Sequence, residues 1–161
     1  MREAAGKARE AVLAEAIEHA SEPRDFASTL LVAIAGPIGG GALQIGDGVI
    51  VISDGGNGWS WVFWPQHGEY VNTTRFLTDE DSMQVLEAEP FSGTVTDIAL
   101  MTDGPFFAGM FRPLSRADKA DEIGHLSSSL ESFLSSERVR SRTDDDVSLI
   151  LATCRPPKIG D

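Results

Sequence analysis

The sequence predicts an α+β layered domain, and three observations carry that prediction. Residues 2–20 and 117–135 have the apolar spacing of amphipathic helices. Between and after them lie apolar runs of strand length, separated by Gly-rich and Asp-Gly turns. No repeat or linker divides the 161 residues, which are enough for one core.

In the first helix Ala5, Ala8, Val12, Ala16 and Ile17 are expected on one face, with Leu13 and Ala20 beside it. Glu3 and Lys7 sit four apart in the favourable order, and His19 in the last turn suits the negative end of the helix dipole. Ser21-Glu22-Pro23-Arg24 ends the helix, since proline cannot continue its hydrogen-bond ladder. Ala27 to Ala35 is almost unbroken apolar and predicts a strand buried on both faces. Gly36 to Gly41 follows as a turn; it lacks the lysine and hydroxyl residue of a nucleotide-binding loop.

Ala42 to Ser53 predicts a hairpin, two apolar strands turning at Gly46-Asp47-Gly48. Asp54 to Gly58 is a second turn, and Trp59 to Trp64 alternates as a strand whose tryptophans form core or edge packing or a binding platform. Pro65 to Glu69 is a loop, in which His67 faces solvent or a site. Leu77 to Met83 has the composition of a helix start, with Thr78 as cap and Asp79, Glu80 and Asp81 near the positive end of the dipole. Residues 88–95 read as a polar connection.

Asp97 to Gly104 is an apolar strand that ends in a carboxylate and a glycine, which puts Asp103 at an exposed strand end. The same pattern also describes a simple turn. Residues 105–111 form an apolar cluster expected to pack on the sheet as a turn or short helix. In the second long helix Ile123, Leu126, Leu130, Phe133 and Leu134 make the apolar stripe, His125 lies beside it, and Ser127 to Ser129 form a solvated face. Asp144, Asp145 and Asp146 then run directly into the final strand. Three adjacent carboxylates repel, and either solvation or an oxygen-ligated cation relieves the repulsion. If the two strands are neighbours, Asp103 and one of Asp144 to Asp146 converge.

With 13 basic and 25 acidic residues the net charge is −12, which argues against nucleic acid and anionic membrane surfaces and suits cations. The single cysteine, Cys154, excludes an intrachain disulfide and a thiolate metal site, and LATCRPP reads as a strand end. No apolar run reaches bilayer length, and the charged, alanine-rich start differs from a signal peptide, so a cytoplasmic location is expected.

The pieces FASTLLVAIA, LQIGDGVIVIS, DIALMTDG and DDDVSLIL, in that order, resemble the metal-dependent protein phosphatases of the 2C type over roughly residues 24–154. Gly68 to Thr78 is similar to a segment of a bacterial branch of that family. The resemblance implies a four-layer α/β/β/α sandwich that hydrolyses phosphoserine or phosphothreonine in proteins through a binuclear Mn2+ or Mg2+ centre. Carried over by motif, Asp103 and Asp145 are ligands of one ion, with Asp144 as the alternative register, Asp146 where many members have asparagine, and Asp47 mainly structural.

The family's early aspartate, its bridging Asp-Gly pair and its phosphate-gripping arginine have no counterpart in these residues, and catalytic residues stay unassigned. The expectation is therefore an incomplete sandwich, with residues 1–154 the C-terminal part of a phosphatase domain and 155–161 a tail. Its missing strands would leave sheet edges open to self-association or to a partner chain. The alternative is a phosphatase-like binding or regulatory module without activity.

Overall fold

A computed structural model of the chain describes residues 1–55, 58–66, 74–102, 123–141 and 147–154, with the backbone alone over 123–126. Helix α1 (Arg2–Glu18) is followed by a single 3₁₀ turn, Pro23–Phe26, in which Glu22 and Asp25 form a reciprocal capping box. Strands β1 (Leu30–Gly36), β2 (Gly39–Ile45) and β5 (Glu87–Ser92) form one antiparallel sheet in the order β1-β2-β5. Strands β3 (Val49–Ser53), β4 (Trp59–Trp61), β6 (Asp97–Met101) and β7 (Leu149–Thr153) form a second, ordered β4-β3-β6-β7. The short helix α2 (Ser82–Val85) precedes β5, while α3 (Ile123–Leu134) and α4 (Glu137–Arg140) precede β7.

Strand alternation sorts the apolar residues into three layers of packing. Leu43 and Ile45 of β2 point outward onto Ala5, Ala8 and Val12 of α1, with Leu77 and Leu86 completing that core. On the outer face of the other sheet, Val49, Val51, Ala99 and Met101 meet Phe133, Leu134 and Val139 of α3 and its successor. Between the sheets lie Ala42, Ile50 and Phe63, closed by Leu31, Ala33, Phe91, Ile98 and Leu100. The order helix, sheet, sheet, helix is the expected four-layer sandwich, with neighbouring sheets about 10 Å apart as face-to-face packing dictates.

Several sequence expectations hold. Glu3 and Lys7 form an ion pair at 2.8 Å, His19 caps the end of α1 and meets Glu15 at 3.0 Å, and Ser127 to Ser129 are exposed. Cys154 sits exposed at the end of β7. Among the described residues no helix is long and apolar enough to cross a membrane.

Other expectations are corrected. Ile17 is 79% exposed, because it lies about 120° around the helix from Ala5, whereas Ala8, Val12 and Ala16 fall within about 60° of Ala5. The strand expected to be buried on both faces is an edge strand, half-buried at first and exposed from Ile34 onward. Gly46-Asp47-Gly48 does not close a hairpin: β2 and β3 belong to different sheets, and these residues carry the chain from one to the other. The hairpins are made instead by Pro37-Ile38, where Gly36 pairs with Gly39, and by the turn after Ser53, which pairs with Trp59.

Residues expected as a polar connection form β5, whose Pro90 is tolerated because β5 is an edge strand. The acidic run does lead into a helix, but Asp81 rather than Thr78 is the residue that flanks its start. Asp79 accepts the Phe76 backbone N–H at 2.9 Å, Asp81 faces the Arg75 guanidinium at 3.1 Å, and a single helical turn starts at Ser82. The second long helix ends at Leu134, and α4 follows with Val139 buried. The apolar cluster 105–111, residues 117–122, the side chains of Ile123, His125 and Leu126, and the tail 155–161 lie outside the described residues.

Candidate active site

Three strand ends meet at one pole of the four-stranded sheet. Val49, first in β3, pairs with Met101, last in β6, and Met101 pairs with Leu149, first in β7. The β6–β7 ladder runs one step further than the strands themselves. Thr102 donates its backbone N–H to the Ser148 carbonyl at 3.1 Å, and Ser148 donates its own N–H to Thr102 Oγ1 at 2.8 Å. A hydroxyl thus replaces a backbone carbonyl as acceptor where the strand stops. The condition posed by the sequence, that the strand before Asp103 neighbours the strand after Asp146, is met.

The crossover between the sheets lies at this same pole. A Cβ placed on Gly48 would sit 2.8 Å from the Met101 carbonyl oxygen and 2.6 Å from Leu31 Cδ1, so a side chain has no room there. Gly46 adopts φ +110°, and a Cβ placed on it would run into the Thr29 methyl, which again favours glycine. Between them Asp47 is half-buried and accepts a hydrogen bond from Thr74 Oγ1 at 2.7 Å. That bond ties the crossover to Thr74.

Two glutamines secure the crossover. Gln66 accepts the Gly46 N–H through Oε1 at 2.9 Å and donates through Nε2 to the Val85 carbonyl at 2.7 Å. Its backbone N–H also donates to the Gly46 carbonyl at 3.2 Å. Gln44, fully buried in β2, donates through Nε2 to the carbonyls of Gly46 and Trp64, at 3.1 and 3.3 Å, while its Oε1 has no hydrogen-bond partner among the described residues. The crossover, the Trp64–Gln66 segment and the end of α2 are thereby one hydrogen-bonded unit.

Asp103 and Asp145, with Asp144, Asp146 and His67, lie outside the described residues. Their described neighbours are Thr102 on one side and Val147 on the other, both at this pole. Among the described residues no three His, Cys, Asp or Glu side chains gather as a metal site. The polar side chains that the pole does present, Asp47, Thr74, Thr102 and Ser148, offer oxygen donors only, which fits a hard divalent cation rather than a soft one.

Sequence reasoning missed Gln44, Gln66, Thr74, Thr102 and Ser148, because their roles depend on partners distant in the chain. It also passed over Asp97, which is 3% exposed at the opposite pole and accepts a hydrogen bond from Thr96 Oγ1 at 2.7 Å.

Comparison with known proteins accords with this geometry. Serine/threonine-protein phosphatase 3 of Escherichia coli (strain K12) is 38% identical over 159 residues, an alignment that covers 89% of this chain and 62% of the relative. The chain therefore spans less than two thirds of that relative's length. No solved structure matches the chain. The profile of the family described as Protein phosphatase 2C matches residues 1–143, and with the two-sheet sandwich flanked by helices this means that the chain belongs to the protein phosphatase 2C family.

Proposed function

We propose that residues 1–154 are the C-terminal part of a metal-dependent protein serine/threonine phosphatase domain, acting in the cytoplasm on phosphoserine and phosphothreonine of protein substrates. One observation carries the reading: β6 and β7 are adjacent and stay joined through Thr102 and Ser148, the residues that lead toward Asp103 and away from Asp146. Asp103 and Asp145 are the proposed ligands of one Mn2+ or Mg2+ ion. Bound there, such ions supply a water of lowered pKa and neutralise charge on the phosphoryl oxygens.

The chain's own residues do the positioning. The Thr102–Ser148 bonds fix the spacing of the two strand ends, so that carboxylates following them need not pay for ordering the strands on metal binding. Asp47, held by Thr74, keeps the crossover closed behind that pole. Further strands supplying acidic residues would pair with open sheet edges, and exposed Ile34 on β1 and Ile150 on β7 mark two such edges.

The test is Mn2+ titration by calorimetry together with hydrolysis of a phosphothreonine peptide, for the chain and for Asp103→Asn and Asp145→Asn. The reading expects each substitution to weaken Mn2+ at least tenfold. It expects hydrolysis that needs both Mn2+ and Asp103, either by the chain alone or after addition of a segment carrying the family's acidic N-terminal motifs. Mn2+ binding unchanged in both variants would refute the ligand assignment. Absence of hydrolysis in either setting would refute the phosphatase reading in favour of an inactive module.

A further inference from the structure

We propose a second site, a groove on the flank of the sandwich that takes an arginine- or lysine-bearing segment of a partner protein. Trp61 and Trp64 stack with ring centroids 5.3 Å apart and planes 13° from parallel. Trp64 is 74% exposed, so one indole face rests on Trp61 and the other is open to solvent. Beside this pair is a cavity of about 490 Å³, lined on one side by Trp61, Phe63 and Trp64 and on the other by Glu87, Glu89 and Phe91.

The groove runs between two sheet edges, since β4 ends one sheet and β5 ends the other. Glu87 and Glu89 share the face of β5 that carries Phe91, which packs between the sheets. Both carboxylates are exposed, and neither has an ion-pair partner among the described residues. Charged residues on an edge strand blunt unwanted pairing, and that accounts for Glu87, Glu89 and Pro90. It does not account for an indole held face-open above them.

An exposed indole face and two carboxylates across one cavity select a cation with an apolar stem. The positive head lies over the ring or pairs with a carboxylate, and the methylenes cover Phe63 and Phe91. Arginine fits best, because its planar guanidinium stacks on an indole while still donating to a carboxylate. The net charge of −12 attracts the same partner at longer range. The Trp64 carbonyl is bonded to Gln44, so the platform is fixed to the core rather than carried on a free loop. Nothing in this site requires a metal or catalysis.

Calorimetric titration of the metal-free chain with a ten-residue arginine- and serine-containing peptide tests the proposal, with lysine, glutamate and proline-rich versions beside it. Expected are saturable one-to-one binding of the arginine peptide, weaker binding of the lysine peptide, and none of the glutamate peptide. Trp64→Ala, at a position 74% exposed, and the double variant Glu87→Gln, Glu89→Gln should each weaken the arginine peptide at least tenfold. Raising NaCl to 0.5 M should weaken it further. Equal binding of the glutamate or proline-rich peptide, unchanged affinity in Trp64→Ala, no binding at millimolar peptide, or a dimer of the chain abolished by Trp64→Ala would each overturn it. Hydrolysis assays on the same variants separate this site from the proposed catalytic one, because failure of either leaves the other standing.

Discussion

Removing the Gln66 side chain cuts the crossover loose from the rest of the structure, and the cost follows from its bonds. Gln66→Ala leaves the Gly46 N–H and the Val85 carbonyl without the partners they now have at 2.9 and 2.7 Å. A buried backbone group stripped of its partner costs about 1–3 kcal/mol. Both groups are partly buried here, and water can reach them after truncation, so about 1 kcal/mol each is the appropriate share, or about 2 kcal/mol together. For a domain of this size that lowers Tm by roughly 4–8 °C. Urea denaturation followed by circular dichroism reads the change as a lower midpoint at constant m. Gln66→Glu separates the two bonds: it can still accept from Gly46 but sets a carboxylate against the Val85 carbonyl, and should cost at least as much as alanine. A change below about 0.5 kcal/mol in both variants would refute the reasoning, since that is the range of surface substitutions without a role.

Other outcomes follow from the same packing. Gly48→Ala forces a methyl to 2.8 Å from the Met101 carbonyl, and the expected loss is about 1–3 kcal/mol in urea denaturation. Val139→Ala removes two methyl groups from a side chain that is 2% exposed against Val49, Ala99 and Met101, and should cost about 1.5–3 kcal/mol by the same assay. Ile17→Gln, by contrast, should stay within about 0.5 kcal/mol of the parent; a larger loss would mean that the last turn of α1 is covered.

What the sequence revealed and what it hid divide along a physical line. Strands β6 and β7 and the two long helices were legible because their signal is local: apolar residues at a fixed period over a sufficient length. β5 was not, because Glu87, Glu89 and Pro90 are poor strand formers that pair only because β2 offers them an open ladder. The crossover at Gly46 to Gly48 was misread for a related reason. Asp-Gly between apolar runs has the same local chemistry whether the second strand folds back on the first or leaves for another sheet. That choice is made by long-range pairing, with β3 taken by β6 and β2 by β5. At the proposed catalytic pole the sequence supplied Asp103 and Asp145 through a family resemblance. The Thr102–Ser148 bonds that join the flanking strands had no signature in either segment.

The crossover also sets how the sandwich can breathe. From Ile45 to Val49 the chain has four Cα-to-Cα steps, a contour of about 15 Å, while the packed sheets it joins stand about 10 Å apart. With Gly46 clamped at its amide and its carbonyl, little of that slack remains. A second short crossover, residues 93–96, carries the chain from Ser92 of β5 to Asp97 of β6 at the far pole, where the Thr96 N–H donates to the Ser53 carbonyl at 2.8 Å, so the two sheets are tied together at both ends. Native-state amide exchange should reflect this: along β3 the protection contributed by sheet-to-sheet packing holds at Ser53 as well as at Val49. The end of the sandwich assigned to chemistry is thus held by the chain's own connectivity, and so is the end opposite it.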